Sequence, residues 1–249
     1  MIPYFSLTQL HLGTVTIQVW GLFVALGFLI GGAVAAWRAK KLGLDSSVVW
    51  DMLSWLLLSS MFFARVFFVL FYSLDYFWQK PLEIFYIWQG GMSMMGGLFG
   101  AVLAGFLFLR HRRVDFWQYV DATIFGLPLG YFIGRIGCFL IHDHPGVPTN
   151  FFLGLQYPDG IVRHDLGLYS SLLGLFLFVI FLIMKKIKPP VGSFVVVFLI
   201  VYGVARFFLD FLRVEDVRIL FLTPGQYFGI LMVVGGLIIC FKKKLCSKI

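Results

Sequence analysis

Charged residues are scarce in this chain. Of its 249 residues, 13% are charged and 60% are hydrophobic, whereas a soluble domain is closer to half apolar and a quarter charged. This shortage excludes an ordinary soluble domain. The apolar stretches also lack the polar–apolar alternation of a transmembrane barrel. We therefore expect an all-α integral membrane protein, a bundle of about seven transmembrane helices that forms a single polytopic membrane domain over residues 1–249.

Features of several other protein classes are equally sparse. The three cysteines, Cys138, Cys240 and Cys246, have no CxxC spacing, so the sequence predicts no metal site, no disulfide framework and no cofactor. Residues 1–12 lack a basic region and a small-residue cleavage site, so we expect no removable signal peptide. The net charge of +8 does not indicate nucleic acid binding, because the basic residues cluster at the ends of apolar segments.

Apolar segments of helical length dominate the chain. Each is near the roughly 20 residues that span a bilayer. The seven segments are 15–37, 48–72, 91–109, 117–140, 166–184, 191–209 and 225–241. They predict seven transmembrane helices whose connecting loops alternate between the two faces of the membrane.

Basic residues are distributed unevenly between the two sets of loops. The richer set carries Arg38, Lys40, Lys41, Arg110, Arg112, Arg113, Lys185, Lys186, Lys188, Lys242, Lys243, Lys244 and Lys248. The poorer set carries Lys80, Arg163, Arg213 and Arg218. Cytoplasmic loops are the basic ones in membrane proteins. We therefore predict an N-terminus outside and a C-terminus in the cytoplasm.

Three arginines lie inside the apolar segments: Arg65, Arg135 and Arg206. With the predicted orientation, each falls in the outer-leaflet half of its span. An arginine in hydrocarbon costs at least ~2.5–3.5 kcal/mol, so three at one depth predict a bound anion, for which a lipid phosphate is the candidate. The alternative is that each arginine reaches to the nearest interface on its own.

The most specific motif ends the fourth span, at residues 134–146. Gly134 and Gly137 flank Arg135 and are predicted to leave its guanidinium uncovered, so that a phosphate approaches both side chain and backbone. The helix is expected to stop near Gly146, which we include among the phosphate-binding positions. This boundary places His142, Asp143 and His144 at the outer membrane surface.

A second polar cluster follows the sixth span. Arg206 and Asp210 are four residues apart, so they share a helix face and are predicted to pair, with Arg213 three residues further on. An acidic partner fixes an arginine while leaving donors free for a ligand. Thr223 is predicted to cap the seventh span, with Pro224 in its first turn.

Together these stretches resemble the prolipoprotein diacylglyceryl transferase family. The matching parts are Gly90–Gly97, Gly134–Gly146, Tyr202–Arg213 and Leu222–Gln226, and Arg65 also falls where that family has an arginine. The resemblance implies phosphatidylglycerol and other membrane lipids as ligands, and a prolipoprotein signal peptide with a lipobox cysteine as partner. It also implies a multi-pass protein of the bacterial cytoplasmic (inner) membrane that moves a diacylglyceryl group to the cysteine thiol and releases glycerol phosphate.

The chain departs from the family pattern at several positions. Trp20 stands where the family usually has Tyr, Met95 where it has His or Tyr, and Cys138 where it has Asn. Asp143 and Asp210 each take the place of a Glu, and Asp165, after Arg163-His164, takes the place of a Pro. The phosphate-holding positions are retained, whereas positions that handle protons are changed. We include Trp20, Met95, Cys138, His164, Asp210 and Arg213 as supporting residues of the site.

The roles that the resemblance suggests leave the base open. Arg135 and Arg206 are expected to hold the phosphate and stabilise its departure. His142, Asp143 or His144 is a candidate base, or the thiol, with a pKa of about 8.5, ionises without one. Two other functions remain: a non-catalytic lipid- or signal-peptide-binding member of the family, and an anion transporter or channel.

Overall fold

The structure is a computed structural model that describes residues 1–214, 218 and 220–245. Cys246 and Lys248, considered above, lie outside the described residues. The chain divides into two units, one made of Met1–Arg38 and Val120–Ile249 and the other of Ala39–Tyr119. The expectation of one domain over 1–249 stays a prediction.

Among the described residues, seven helices are long and apolar enough to cross a membrane. They are α1 Val19–Lys41, α2 Ser46–Tyr72, α4 Met94–His111, α5 Phe116–Ile141, α6 Leu166–Lys186, α7 Ser193–Leu209 and α8 Pro224–Lys242, and a short helix, α3 Leu74–Gln79, follows α2. The prediction of about seven transmembrane helices is confirmed. The first span begins four residues later than expected, because residues 15–18 form a strand instead of a helical turn.

In the first unit, aromatic and small residues pack the helices together. Phe125 of α5 contacts Phe181 of α6 and Phe194 of α7, with ring centroids 6.1 and 5.2 Å away. Helices α1 and α5 approach closely at glycines, where a Cβ on Gly126 would collide with the carbonyl oxygen of Gly31. Small residues allow such close backbone contact between membrane helices.

The described part of this unit contains five short strands that the apolar pattern did not predict. Strands β1 Gln9–Leu12 and β2 Val15–Gln18 form an antiparallel hairpin. Strands β3 Pro145–Pro148, β4 Leu155–Gln156 and β5 Val162–Asp165 form an antiparallel sheet in the order β3-β5-β4. With two to four residues each, these strands are too short to give a clear alternating pattern.

In the second unit, α2 and α4 pack at glycines of α4. A Cβ on Gly100 would lie 2.5 Å from the carbonyl oxygen of Ser59, so only glycine allows this approach. The aromatic segment 73–90 had been considered as a set of amphipathic pieces in the membrane interface. It forms α3 and two 3-10 helices, Pro81–Phe85 and Ile87–Gln89.

Candidate active site

Arg135 lies in the last third of α5, and its guanidinium is held by uncharged neighbours. Its Cζ lies 5.1 Å from the ring centroid of Tyr131, one helical turn earlier. Its Nη1 lies 3.8 Å from the Sγ of Cys138, one turn later. Among the described residues, no carboxylate pairs with this arginine. A Cβ on Gly134 would meet no described atom within 4 Å, so the helix surface at Gly134 is open. The uncovered guanidinium of Arg135 stays a prediction.

Arg206 lies near the end of α7 and, unlike Arg135, has an acidic partner. Its Nη2 lies 2.8 Å from Oδ1 of Asp210, and Nε of Arg213 lies 3.7 Å from the same oxygen. The predicted Arg206–Asp210 pair is therefore confirmed. The hydroxyl of Thr223, at the start of α8, donates to the other carboxylate oxygen. A Cβ on Gly225 would lie 2.7–2.9 Å from atoms of this ion pair, so a side chain there would displace it.

The start of α8 also matches the prediction. Thr223 is the N-cap, Pro224 occupies the first turn, and Thr223 and Gln226 form a capping box in which each side chain bonds the other's backbone N–H. The Thr223 hydroxyl therefore contributes to the helix cap and to the ion pair at once. This double use fixes the Asp210 carboxylate between α7 and α8.

Two tyrosines connect Arg135 with Arg206. The rings of Tyr131 and Tyr202 meet edge to face with centroids 5.4 Å apart. Tyr202 lies within electrostatic range of both guanidinium groups. The two arginines predicted to share a ligand are thus gathered around one tyrosine pair.

A polar cavity of about 440 Å³ lies in the same unit. Its polar lining comes from Asp143, His144, Tyr157, Arg163 and Arg213. Asp143 and His144 are hydrogen bonded to each other and keep about 30% of their side-chain surface exposed. Arg213 links this cavity to the Asp210 carboxylate. The cavity therefore offers both acidic and basic groups next to Asp210 and its partners Arg206 and Arg213.

His142 does not line this cavity, because its side chain is buried in the protein. Its predicted depth at the outer membrane surface stays a prediction. Its side chain is only 1% exposed, and Nδ1 lies 2.9 Å from Oδ2 of Asp165. The ring packs against Phe5 and Phe139, with centroids 4.8 and 5.5 Å away. The left-handed backbone of His142 (φ 53°) turns the chain at the end of α5 and directs the ring inward.

Asp165 is a structural centre for this part of the unit. Its carboxylate caps α6 through the N–H of Leu168 and also accepts from the hydroxyl of Tyr157, at 2.9 and 3.4 Å. Burial raises the pKa of the Asp165 carboxyl, and burial together with Asp165 raises the pKa of Tyr157. These contacts explain why the carboxylate of Asp165 can be buried.

Arg65 belongs to the second unit and has a different environment from the other two arginines. Every N–H of its buried guanidinium donates to a backbone carbonyl, the acceptors being Glu83, Ile84, Tyr86, Gly90 and Gly91 at 2.6–3.5 Å. Its Cζ also lies 4.9 Å from the ring centroid of Phe77. Because all of its donors are occupied, we do not include Arg65 in the phosphate site proposed below.

Two glycines of the fourth-span motif pack against neighbouring chain rather than leaving open space. A Cβ on Gly137 would lie 2.7 Å from Cβ of Phe23 in α1. A Cβ on Gly146 would lie 2.8 Å from the carbonyl oxygen of Leu212 and 2.9 Å from that of His164. Of the two glycines that flank Arg135, only Gly134 therefore leaves open space.

The remaining supporting residues have varied surroundings. Trp20 lies beside the Cys138 thiol. Nδ1 of His164 lies 2.7 Å from the hydroxyl of Tyr169, and burial lowers the pKa of His164. Met95 lies near the start of α4 in the second unit and is 36% exposed.

Sequence reasoning missed Tyr131 and Tyr202 as parts of the site. A signal was present, because each lies four residues before one of the arginines and therefore shares its helix face. The aromatic content of the chain, 19% of all residues, hides such a pair among many others. Their mutual contact depends on how α5 packs against α7 and has no signal in the local sequence.

Comparison with known proteins shows the family of this chain. The family model described as prolipoprotein diacylglyceryl transferase matches residues 8–242. A phosphatidylglycerol–prolipoprotein diacylglyceryl transferase from Nitratidesulfovibrio vulgaris is 34% identical over 245 residues, which is 94% of this chain and 93% of the relative. The enzymes of the same name from Glaesserella parasuis and Clostridioides difficile are 34% and 30% identical, covering 95% and 90% of this chain and 92% and 90% of their own length. This chain therefore belongs to the prolipoprotein diacylglyceryl transferase family.

Proposed function

We propose that this chain transfers a diacylglyceryl group from phosphatidylglycerol to the lipobox cysteine of prolipoproteins in the bacterial cytoplasmic membrane. The observation that carries the proposal is Arg135. It is a cation in a membrane-spanning helix, without a carboxylate partner among the described residues. An unpaired charge in such a place is costly. A lipid phosphate bound there offsets that cost.

Arg206 complements Arg135 in this proposal. The Asp210 carboxylate fixes Arg206 through one terminal nitrogen, which leaves other N–H groups for a ligand. Planar guanidinium groups bind phosphate through paired hydrogen bonds. Two of them around Tyr131 and Tyr202 form a cradle for one phosphate diester, and they stabilise the negative charge that grows on it as it leaves.

The proposed reaction is a single displacement. The sulfur of the prolipoprotein cysteine, as thiolate, attacks the carbon of the diacylglyceryl group that is bonded to the phosphate oxygen. A carbon–sulfur bond forms, and the bond between that carbon and the phosphate oxygen breaks. Glycerol phosphate leaves with the electron pair. The thioether product keeps both acyl chains, so it remains in the membrane.

The thiol proton requires an acceptor, and His144 is the candidate that the geometry favours. It lines the polar cavity, and its ring is oriented by the Asp143 carboxylate. An imidazole titrates near neutral pH and suits this task. His142 is unsuited, because its ring is enclosed by aromatic side chains.

The test is a transfer assay with purified protein, labelled phosphatidylglycerol and a lipobox peptide. Arg135→Ala and Arg206→Ala are each expected to lower kcat by about 10²–10³-fold, as does loss of one charge-stabilising donor. Arg135→Lys is expected to stay well below wild type, because an ammonium lacks the paired donors. Arg110→Ala, at an exposed position in the last turn of α4, serves as the control. Wild-type turnover in Arg135→Ala would refute the phosphate role.

A non-catalytic lipid-binding protein is the second candidate, and Met95 and Trp20 favour it. Methionine cannot accept a proton where the family usually has a histidine or tyrosine. Expression in a strain depleted of its own transferase separates the two functions. Restored lipoprotein modification excludes the binding-only candidate, whereas phosphatidylglycerol binding without transfer supports it.

A further inference from the structure

The end of α5 brings together three side chains of the kind that bind metal ions. One ligand atom each from Cys138, Asp143 and His144 can be chosen so that all three lie within 4.8 Å of one another. The sequence did not predict this cluster, because the spacing fits none of the usual zinc motifs. The left-handed turn at His142 folds residues 143 and 144 back towards the last turn of the helix.

We propose that Cys138, Asp143 and His144 form a site for one divalent cation of the zinc class. A thiolate, an imidazole and a carboxylate together suit borderline cations such as Zn²⁺ and Co²⁺, whereas Mg²⁺ and Ca²⁺ prefer oxygen ligands alone. Three protein ligands leave a fourth position for water or another small ligand. The cavity that Asp143 and His144 line gives access from outside.

The geometry requires little rearrangement. Bond lengths of about 2.0–2.3 Å to zinc place tetrahedral ligand atoms roughly 3.3–3.8 Å apart. The ligand atoms lie within 4.8 Å of one another, so each pair has to approach by at most about 1.5 Å. Cys138 is a free, buried thiol. Asp143 and His144 are partly exposed and hydrogen bonded to each other. A metal ion would replace or share this contact. A metal-bound His144 could not also accept the thiol proton, so the metal-loaded chain is a state separate from the one proposed to carry out transfer.

The nearby Arg135 does not prevent cation binding. A thiolate and a carboxylate balance the two charges of the ion, so the occupied site is neutral next to the guanidinium. Nη1 of Arg135, 3.8 Å from the sulfur, is placed to donate to a metal-bound thiolate. Hydrogen-bond donors that do not bind the metal themselves commonly orient the residues that do.

The test uses Co²⁺ alone as the probe, with the full chain purified in detergent, reduced and freed of metal by chelation. We expect one Co²⁺ per chain and a sulfur-to-cobalt charge-transfer band. Zn²⁺ is expected to displace the Co²⁺, whereas Mg²⁺ is not. Cys138→Ser is expected to abolish the band. Asp143→Asn and His144→Ala are each expected to weaken binding by at least about 10-fold.

His11→Ala is the matched control, because His11 is exposed on the β1–β2 hairpin. It is expected to keep wild-type affinity. Asp143 and His144 are partly exposed, so their variants test the site even where Cys138→Ser fails to fold. A band that persists in folded Cys138→Ser, or no Co²⁺ binding by the folded, reduced chain, would overturn the proposal. The measurement contains no substrate, so its outcome is independent of the proposed transferase reaction.

Discussion

Two arginines of the same site are stabilised in opposite ways. Arg135 contacts a tyrosine ring and a thiol, so its charge is available to a ligand. Arg206 shares the buried Asp210 carboxylate with Arg213. In our proposal the first supplies net charge to the phosphate, and the second supplies hydrogen bonds in a fixed direction. This division predicts different consequences when their neighbours are changed.

Asp210→Asn is the clearest test at this scale. The carboxylate is fully buried and has two arginines and a hydroxyl around it. Loss of one partner of a buried ion pair costs about 3–5 kcal/mol, so we expect a clear drop in thermal stability together with weaker transfer. The measurement is thermal unfolding in detergent combined with the peptide assay.

Asp51→Asn provides a matched control for Asp210→Asn. Asp51 pairs with Arg112, but both side chains are nearly half exposed. An exposed pair contributes about 0–1 kcal/mol, so stability and transfer are expected to change little. Equal effects of the two substitutions would contradict the assigned role of Asp210.

Some of these residue contacts were predictable from spacing alone. Arg206 with Asp210, and Thr223 as a helix cap, are local relationships within one or two turns, and both predictions are confirmed. The inward position of His142 was not predictable, because it depends on contacts with Phe5 and Asp165 from distant parts of the chain. Local patterns carry no information about such partners.

At the scale of elements, the segment after α2 is organised around Arg65. Residues 83–91 direct backbone carbonyls towards one buried guanidinium. These carbonyls belong to short 3-10 turns and irregular chain, which have few internal hydrogen bonds to hold them. An arginine that looked like a ligand-binding residue therefore acts here as the centre of a loop.

Arg65→Lys is expected to loosen this segment. A lysine has three donors where the arginine uses five, and each lost bond from a charged donor is worth about 1.5–3 kcal/mol. Hydrogen exchange of residues 83–91 should therefore accelerate by on the order of 10-fold or more. Arg112→Lys, at an exposed ion pair, serves as the control. A loss of phosphatidylglycerol affinity with unchanged exchange would instead support direct phosphate binding by Arg65.

Close helix contacts give a second prediction at this scale. A methyl group on Gly126 would collide with the carbonyl oxygen of Gly31, so Gly126→Ala has to separate α1 from α5. Overpacking of this kind typically costs about 1–3 kcal/mol. Gly235→Ala is the control, because a Cβ there meets no described atom within 4 Å. Only the first substitution is expected to lower the unfolding temperature, and equal temperatures would contradict this packing.

At the scale of the whole molecule, the arrangement of spans is the most predictable property. Hydrophobic length is a local quantity, and the predicted segments agree with the helices to within a few residues among the described residues. The strands near the ends of α5 and α6, and the meeting of Tyr131 with Tyr202, arise only after the helices pack. The sequence therefore predicted the membrane helices well and the site only in part.

The orientation of these spans stays a prediction that a fusion experiment tests. The basic loops place the C-terminus in the cytoplasm, so a green fluorescent protein fused there is expected to fluoresce. Alkaline phosphatase fused after Arg113 is expected to be inactive, and the same enzyme inserted at Asp159 is expected to be active. The reverse pattern would place the polar cavity on the cytoplasmic side and contradict the proposed access of prolipoproteins.

The contacts of the Asp210 carboxylate with α7 and α8 have a practical use in protein engineering. Its carboxylate fastens the end of α7 and the start of α8, on either side of residues 214–222. The anchoring contacts of Arg206 come from outside this stretch, so a short fluorescent reporter peptide inserted within it should leave the arginine in position. Such a chimera is expected to keep its transferase activity.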